Sequence, residues 1–470
     1  MASNEEIQPG EGTGWSDMFR GIRGVYTILL NVGIGVHAID IFVITTVMPA
    51  VVAEIGGVEF YAWTTMLYMV GTIVGAASGQ HARALLGRRK GYVASGLIFL
   101  VGALGCALSP NMAILLLFRT VEGIGGGLLM SQSMTLVNDL YTGRLRTRVL
   151  AAITTTWSIA AVIGPLIGGF WGNFGIWRGA FLTTSVLTLL FILAAWKVVP
   201  ESEKGARQRL PYRRLLLLGT SVILVGASGQ FDDLVLRSGL IVGGVLCLIL
   251  TLRLDRVENN LFPRRVLSLF APVGTAYWVF LLLSAAYTPL TIFLPLALSQ
   301  IYKLEPLWIG YVLTVFSIAW TVGSLGTAGW NDKWTRIVCA SGLAITAVSI
   351  LGISITLGNG SIWTLTVLVT FAGVGVGMTN VHSISWALAA AGEAESRITA
   401  SAAPAMRPIG IAYGAAIAGM IANAAGLAEG TDPETVERAL SWVFALGALV
   451  PLAGSLCVVR MYQLKPGVKV

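Results

Sequence analysis

The residues of this sequence able to do chemistry are few, and they sit where charge is least welcome. Asp40, Arg119 and Glu122 lie inside long apolar stretches, and His37 lies one turn before Asp40 on the same helical face. A carboxylate exposed to lipid is costly, so Asp40 is expected to face a protein interior or to carry a proton. Desolvation favours the neutral form of a carboxyl, which lets it take up and release protons. Arg119 and Glu122 are three residues apart, which puts them on one helical face within pairing reach. They read either as a self-neutralising pair or as charges that act on a proton at Asp40 or Glu122. Arginine keeps its own charge through any such cycle. His37 is open to the same two readings, a polar role in a site or a structural one.

Such residues need elements that hold them in an apolar medium. The chain has 470 residues, 55% hydrophobic and 11% charged, against about 25% charged in an ordinary soluble domain. The apolar residues come in fourteen blocks, from 24–50 to 438–460. A block of about 18 or more apolar residues crosses a bilayer as a helix. The seventh and eighth blocks, 215–230 and 238–254, are short, which leaves twelve or thirteen spans as alternatives. Strand-like alternation of the membrane-barrel kind is absent. The first residues are polar and acidic (Glu5, Glu6, Glu11, Asp17) and read as a retained tail rather than a cleaved signal.

Charge sets the orientation. Arg83, Arg88, Arg89 and Lys90 follow the second block, and Arg144, Arg146 and Arg148 follow the fourth. Loops of the other parity carry only Arg178, Arg237, Lys303 and Arg438. The basic side is the cytoplasmic one, so both termini are expected in the cytoplasm and the span number is even. This distribution accounts for the net charge of +8 better than a nucleic-acid surface does, and no nucleic acid is expected. Cys106, Cys247, Cys339 and Cys457 all lie in apolar blocks, which argues for packing rather than a disulfide or a metal site. No hydrolase, zinc-protease or phosphate-loop motif is present, so no enzyme and no cofactor are expected. Without a nucleotide site, an ion or solute gradient must supply the energy.

Several motifs resemble one family, the fourteen-helix drug–proton antiporter branch of the major facilitator superfamily. Asp40 is followed at nine residues by Pro49, as in the family's first helix. Trp63 and Tyr68 resemble its Trp…Tyr spacing in the second. Gly79-Gln-His-Ala-Arg83-Ala-Leu-Leu-Gly87-Arg88-Arg89-Lys90 resembles its cytoplasmic loop motif, with Arg83 where the family has an acid and one residue inserted. A closer copy begins at Ala328 and runs through Asp332, Lys333 and Arg336. Arg119-Thr-Val-Glu122-Gly-Ile-Gly resembles the fourth-helix motif, with Glu122 where glutamine is usual, and Gly164-Pro165-Leu-Ile-Gly168-Gly169 resembles the antiporter motif of the fifth. Arg407-Pro-Ile-Gly410, with Gly414, resembles a helix near the C-terminus.

The resemblance implies an all-α polytopic membrane protein with the major facilitator fold, two six-helix bundles plus a two-helix insert. The expected organisation is a cytoplasmic tail over 1–23, bundles over 24–199 and 271–462, a linker with the insert over 200–270, and a tail over 463–470. It implies a monomer of a bacterial-type inner membrane that exports an amphiphilic organic solute against protons by alternating access. Asp40, Arg119 and Glu122 would handle the proton. His37, Trp63, Tyr68, Asn380, His382 and Trp386 would face the solute. Gly79, Gly87, Arg88, Gly164, Pro165, Gly168, Gly169, Asp332 and Arg407 would serve conformational change. Two alternatives stay open: a transporter of a specific metabolite or lipid, including one that imports or is not proton-coupled, and a transporter-like sensor or assembly protein. The loss of the loop acid at Arg83 is the reason to keep the first.

Overall fold

In the bilayer core no water satisfies backbone N–H and C=O groups, so a chain this apolar folds into helices that satisfy their own. The computed structural model describes residues 16–201, 210–255, 262, 266–330, 332–390 and 393–464. Side chains are described at all of these except 143–144, 332–333, 384–385, 387–390 and 393–405. The described residues form 15 α-helices and no strand. They are α1 (Gly21–Ile55), α2 (Trp63–Leu86), α3 (Arg88–Ala107), α4 (Met112–Leu140), α5 (Gly143–Asn173), α6 (Arg178–Val198), α7 (Tyr212–Ala227), α8 (Leu234–Leu254), α9 (Pro272–Gln300), α10 (Pro306–Thr327), α11 (Asp332–Thr356), α12 (Ile362–Ala390), α13 (Glu393–Ala424), α14 (Pro433–Gly447) and α15 (Leu449–Leu464).

Helices α14 and α15 are one span broken at Ala448. Pro451 has no N–H to give the Gly447 carbonyl one turn back, which explains the break. Counting that pair once gives fourteen rods. Among the described residues, 12 helical segments are long and apolar enough to cross a membrane. Helix α7, at 16 residues, and α13 are outside that set.

Helices α1–α6 pack among themselves, as do α9–α15. Within the first set α2 and α4 lie backbone to backbone. A Cβ on Gly75 would fall 2.1 Å from the Ile124 carbonyl oxygen, and one on Gly123 would fall 2.1 Å from that of Tyr68. Small residues on both partners permit this approach. The segment expected as a loop between α2 and α3 is instead helical on both sides of Gly87. That single residue turns the chain at φ +79°, where a side chain would be strained.

The two sets meet along α5–α10 and α2–α13. Their tightest contacts lie at the end of the molecule away from Gly87. A Cβ on Gly169 would fall 2.8 Å from the Pro306 carbonyl oxygen, and one on Gly310 would fall 2.5 Å from that of Pro165. Asn173 Oδ1 accepts from the Leu307 N–H at 3.1 Å. Tyr61 stacks on Phe293 with ring centroids 5.5 Å apart. The Glu59 carbonyl accepts from Asn423 at 2.8 Å and from Gln230 at 2.9 Å. Among the described residues, no hydrogen bond joins the two sets at the Gly87 end.

Helix α7 lies over the α2–α13 seam. The Ser221 hydroxyl bonds the Tyr413 hydroxyl at 2.7 Å, and Gly226 and Gly229 sit against Met66 of α2 and Met420 of α13. Helix α8 packs on α7 and is otherwise mostly exposed. Asp233 caps α8 by accepting from the Leu236 N–H at 2.7 Å.

Candidate functional site

The three intramembrane charges converge. Nη1 of Arg119 donates to Asp40 Oδ2 and to Glu122 Oε2, both at 2.7 Å, and all three side chains are at most 1% exposed. Helix α4 supplies Arg119 and Glu122 at the predicted spacing. Helix α1 supplies Asp40 from 79 residues away. Gly102 of α3 makes room for Glu122, because a Cβ there would fall 2.4 Å from the Glu122 nitrogen. Buried charges need paired, hydrogen-bonded partners, and here two carboxyls share one guanidinium nitrogen. Their second oxygens, Asp40 Oδ1 and Glu122 Oε1, have no hydrogen-bond partner among the described residues. The thiol of Cys106, expected only to pack, points at Glu122 Oε2 from 3.5 Å.

A relay of rings leads away from this triad. The guanidinium of Arg119 lies 4.0 Å above the Tyr68 ring, an electrostatically favourable stack. The Tyr68 hydroxyl pairs with His37 Nδ1 at 2.7 Å. Gly126 leaves the imidazole its place, since a Cβ there would fall 2.2 Å from Nδ1. His37 then meets Trp157 of α5 edge-on at 5.9 Å. Arg407 of α13 lies 5.1 Å from the Trp157 ring centroid and 5.3 Å from that of Trp320 on α10. Its Nε donates to the Tyr287 hydroxyl of α9 at 3.1 Å. The relay therefore runs from the carboxyl triad in the first helix set to an arginine in the second. Arg407, expected as part of a conformational motif, sits at its far end.

The other expected solute contacts lie elsewhere. Trp63 is half-buried at the start of α2, edge-on to Phe60 at 5.6 Å. His382 stacks on Trp386 at 6.4 Å, and Trp386 meets Tyr462 of α15 at 5.3 Å. Half-buried Asn380 accepts from Ser383 through its backbone carbonyl. None of these four touches the relay.

At the Gly87 end, Arg83 and Arg88 both bond Asp139 Oδ2, at 2.6 and 3.3 Å. The acid missing from the α2–α3 motif is thus supplied by the last turn of α4. Gly79 takes part too: its carbonyl accepts from Gln132 of α4 at 2.9 Å. The Asp332 side chain lies outside the described residues. In α5, Gly164 and Gly168 press on α1 near Ile39 and Val43, while Pro165 and Gly169 face α10. Sequence reasoning passed over Asp139, Trp157, Trp320 and Tyr287. A lone acid beside a basic run was a signal for Asp139, and an indole inside Thr-Thr-Thr-Trp157-Ser was one for Trp157.

A family model described as Major Facilitator Superfamily matches residues 30–415. A Mycobacterium tuberculosis protein named "Probable multidrug-efflux transporter" is 30% identical over 87% of this chain and 90% of its own length. Multidrug resistance protein 3 of Bacillus subtilis is 25% identical over 74% of this chain and 69% of its own. The crystal structure of a D-xylose–proton symporter superposes with a TM-score of 0.65, covering 96% of this chain and 99% of that one, at 14% identity. At that identity the likeness speaks for the fold alone.

Proposed function

The chain belongs to the major facilitator superfamily, and we propose that it is a proton-coupled exporter of an amphiphilic organic compound. The observation that carries the coupling is the triad: two carboxyls, one arginine, and no water-exposed surface. With both carboxyls ionised the cluster holds one unbalanced negative charge in an apolar medium, which is costly. One proton makes it neutral. The cluster therefore has a reason to bind a proton when sealed and to release it when opened or polarised. Export rather than another use of the fold is the reading favoured by the names of the two bacterial relatives.

With the basic Gly87 end placed in the cytoplasm of a bacterial inner membrane, the α5–α10 and α2–α13 contacts seal the outer side. That is the state in which a solute loads from inside. Alternating access then requires Gly169, Gly310 and Asn173 to part while the Gly87 end closes, the Arg83–Arg88–Asp139 group holding α2, α3 and α4 together during the movement. The protein works as a monomer in this reading, with residues 200–270 an insert between two bundles. The pairing of Arg83 with Asp139 supplies the missing acid, whose loss was the reason for keeping a specific-metabolite or lipid transporter open.

The test is transport in proteoliposomes with an imposed pH gradient, using anionic, neutral and cationic amphiphilic probes. Export of at least one probe should follow the gradient in wild type and lose that dependence in Asp40→Asn. Transport indifferent to the gradient rules out coupling. Gradient-driven transport intact in Asp40→Asn removes that residue from the mechanism.

A further inference from the structure

Arg119 is neutralised by acids; Arg407 is not. Among the described residues no carboxylate forms an ion pair with Arg407, and its only hydrogen bond is from Nε to Tyr287. Among the described residues nothing bonds its two terminal nitrogens. A guanidinium carries five N–H donors in a planar fork that matches a carboxylate or sulfonate edge-on. The walls around it are aromatic. Trp157 and Trp320 stand 5.1 and 5.3 Å from its carbon, and Tyr287 packs against Trp320 at 5.0 Å. These residues come from α5, α9, α10 and α13, so the site straddles the two helix sets. Arg407, Trp157 and Trp320 are all only half-buried, while Tyr287 behind them is buried. These half-buried side chains sit where four helices from both sets meet. An arginine serving packing alone would have its fork closed on an acid or on backbone carbonyls, and this one is open.

We propose that Arg407, walled by Trp157, Trp320 and Tyr287, binds the anionic group of the transported solute, so that the cargo is an amphiphilic organic acid with a planar apolar body. The indole faces take the body and the terminal nitrogens take the acid group. A cationic solute meets an uncompensated positive charge at the same place. The inference rests on the transporter reading but not on proton coupling. The residue acts on binding, and no gradient is needed to see it.

Three probes of one shape separate the possibilities: 2-naphthoate (anionic), 2-naphthamide (neutral) and 2-naphthylmethylammonium (cationic). Equilibrium binding to the purified full chain in detergent is measured for wild type, Arg407→Gln and Arg407→Lys. Wild type should bind 2-naphthoate about tenfold tighter than the other two, a bidentate charge-assisted contact being the difference. Arg407→Gln should lower 2-naphthoate to the level of the amide, and Arg407→Lys should keep part of the preference because it keeps the charge but loses the fork. Trp320→Leu, a second variant independent of Arg407, should weaken all three probes and keep their order. The inference is overturned if wild type shows no preference for the anion. It is equally overturned if folded Arg407→Gln keeps that preference, or loses all three probes alike. Binding of 2-naphthoate with no export of it in proteoliposomes would sink the exporter reading and leave the anion site standing.

Discussion

Arg119 and Arg407 are both arginines on helices inside a membrane fold, and the protein treats them in opposite ways. Arg119 is 1% exposed and holds two acids on one nitrogen. Arg407 is half-buried and, among the described residues, holds a phenol and two indoles. The first environment is closed, over-supplied with negative charge and tied to α1, α3 and α4. The second is open, short of negative charge and shared between the helix sets. A buried ion cluster with one acid too many is suited to a proton; an open guanidinium between aromatic walls is suited to a solute anion. Tyr68, His37 and Trp157 lie between them, so a change at one end has a packed route to the other.

The sharpest way to break this contrast is to remove each arginine in turn. Arg119→Gln leaves two buried carboxyls without a counter-charge, and breaking such a pair costs roughly 3–5 kcal/mol. Thermal unfolding in detergent should show a large loss. Arg407→Gln forfeits a partly buried hydrogen bond and two cation–π contacts, worth about 1.5–3.5 kcal/mol in all, so its unfolding midpoint should stay nearer wild type. Equal destabilisation would erase the distinction. Next in size, Gly126→Ala drives a methyl into the His37 ring, and overpacking of that kind costs about 1–3 kcal/mol. Tyr68→Phe keeps the ring beneath Arg119 but removes the bond to His37, for about 0.5–1.5 kcal/mol. Smallest should be Asp139→Asn. Its partners are about a quarter exposed, and partly exposed pairs contribute about 0.2–1 kcal/mol, an effect that shrinks further in high salt.

Much of the triad was legible in the sequence, and the reasons are local. Arg119 and Glu122 pair because residues three apart share a helical face. Asp40 could be singled out because an acid in an apolar block needs a partner or a proton. That its partner is Arg119 is a tertiary fact, since no periodicity links residues 79 apart. The same limit hid Asp139. The motif lacked its acid in sequence, and the fold restored it from the end of another helix. The same limit hid where the expected solute residues lie relative to the relay. Trp63, His382 and Trp386 were aromatic or polar residues on membrane helices, but each packs on neighbours of its own end. Tyr287 and Trp320 gave no sequence sign, because an aromatic inside an apolar helix is ordinary until an arginine from elsewhere meets it. Backbone atoms of α1 or α10 lie within 3.0 Å of where a Cβ on Gly164, Gly168 or Gly169 would be, an approach that small residues permit.

If the Asp40–Arg119–Glu122 cluster carries the transported proton, proteoliposomes with a pH-sensitive dye trapped inside should report it while an exported probe is added to the cytoplasmic face. Wild type should move protons opposite to the probe. Asp40→Asn should still bind the probe and move no protons with it. Proton movement that persists in both Asp40→Asn and Glu122→Gln, at the wild-type ratio to probe, would show that the cluster does not carry the proton.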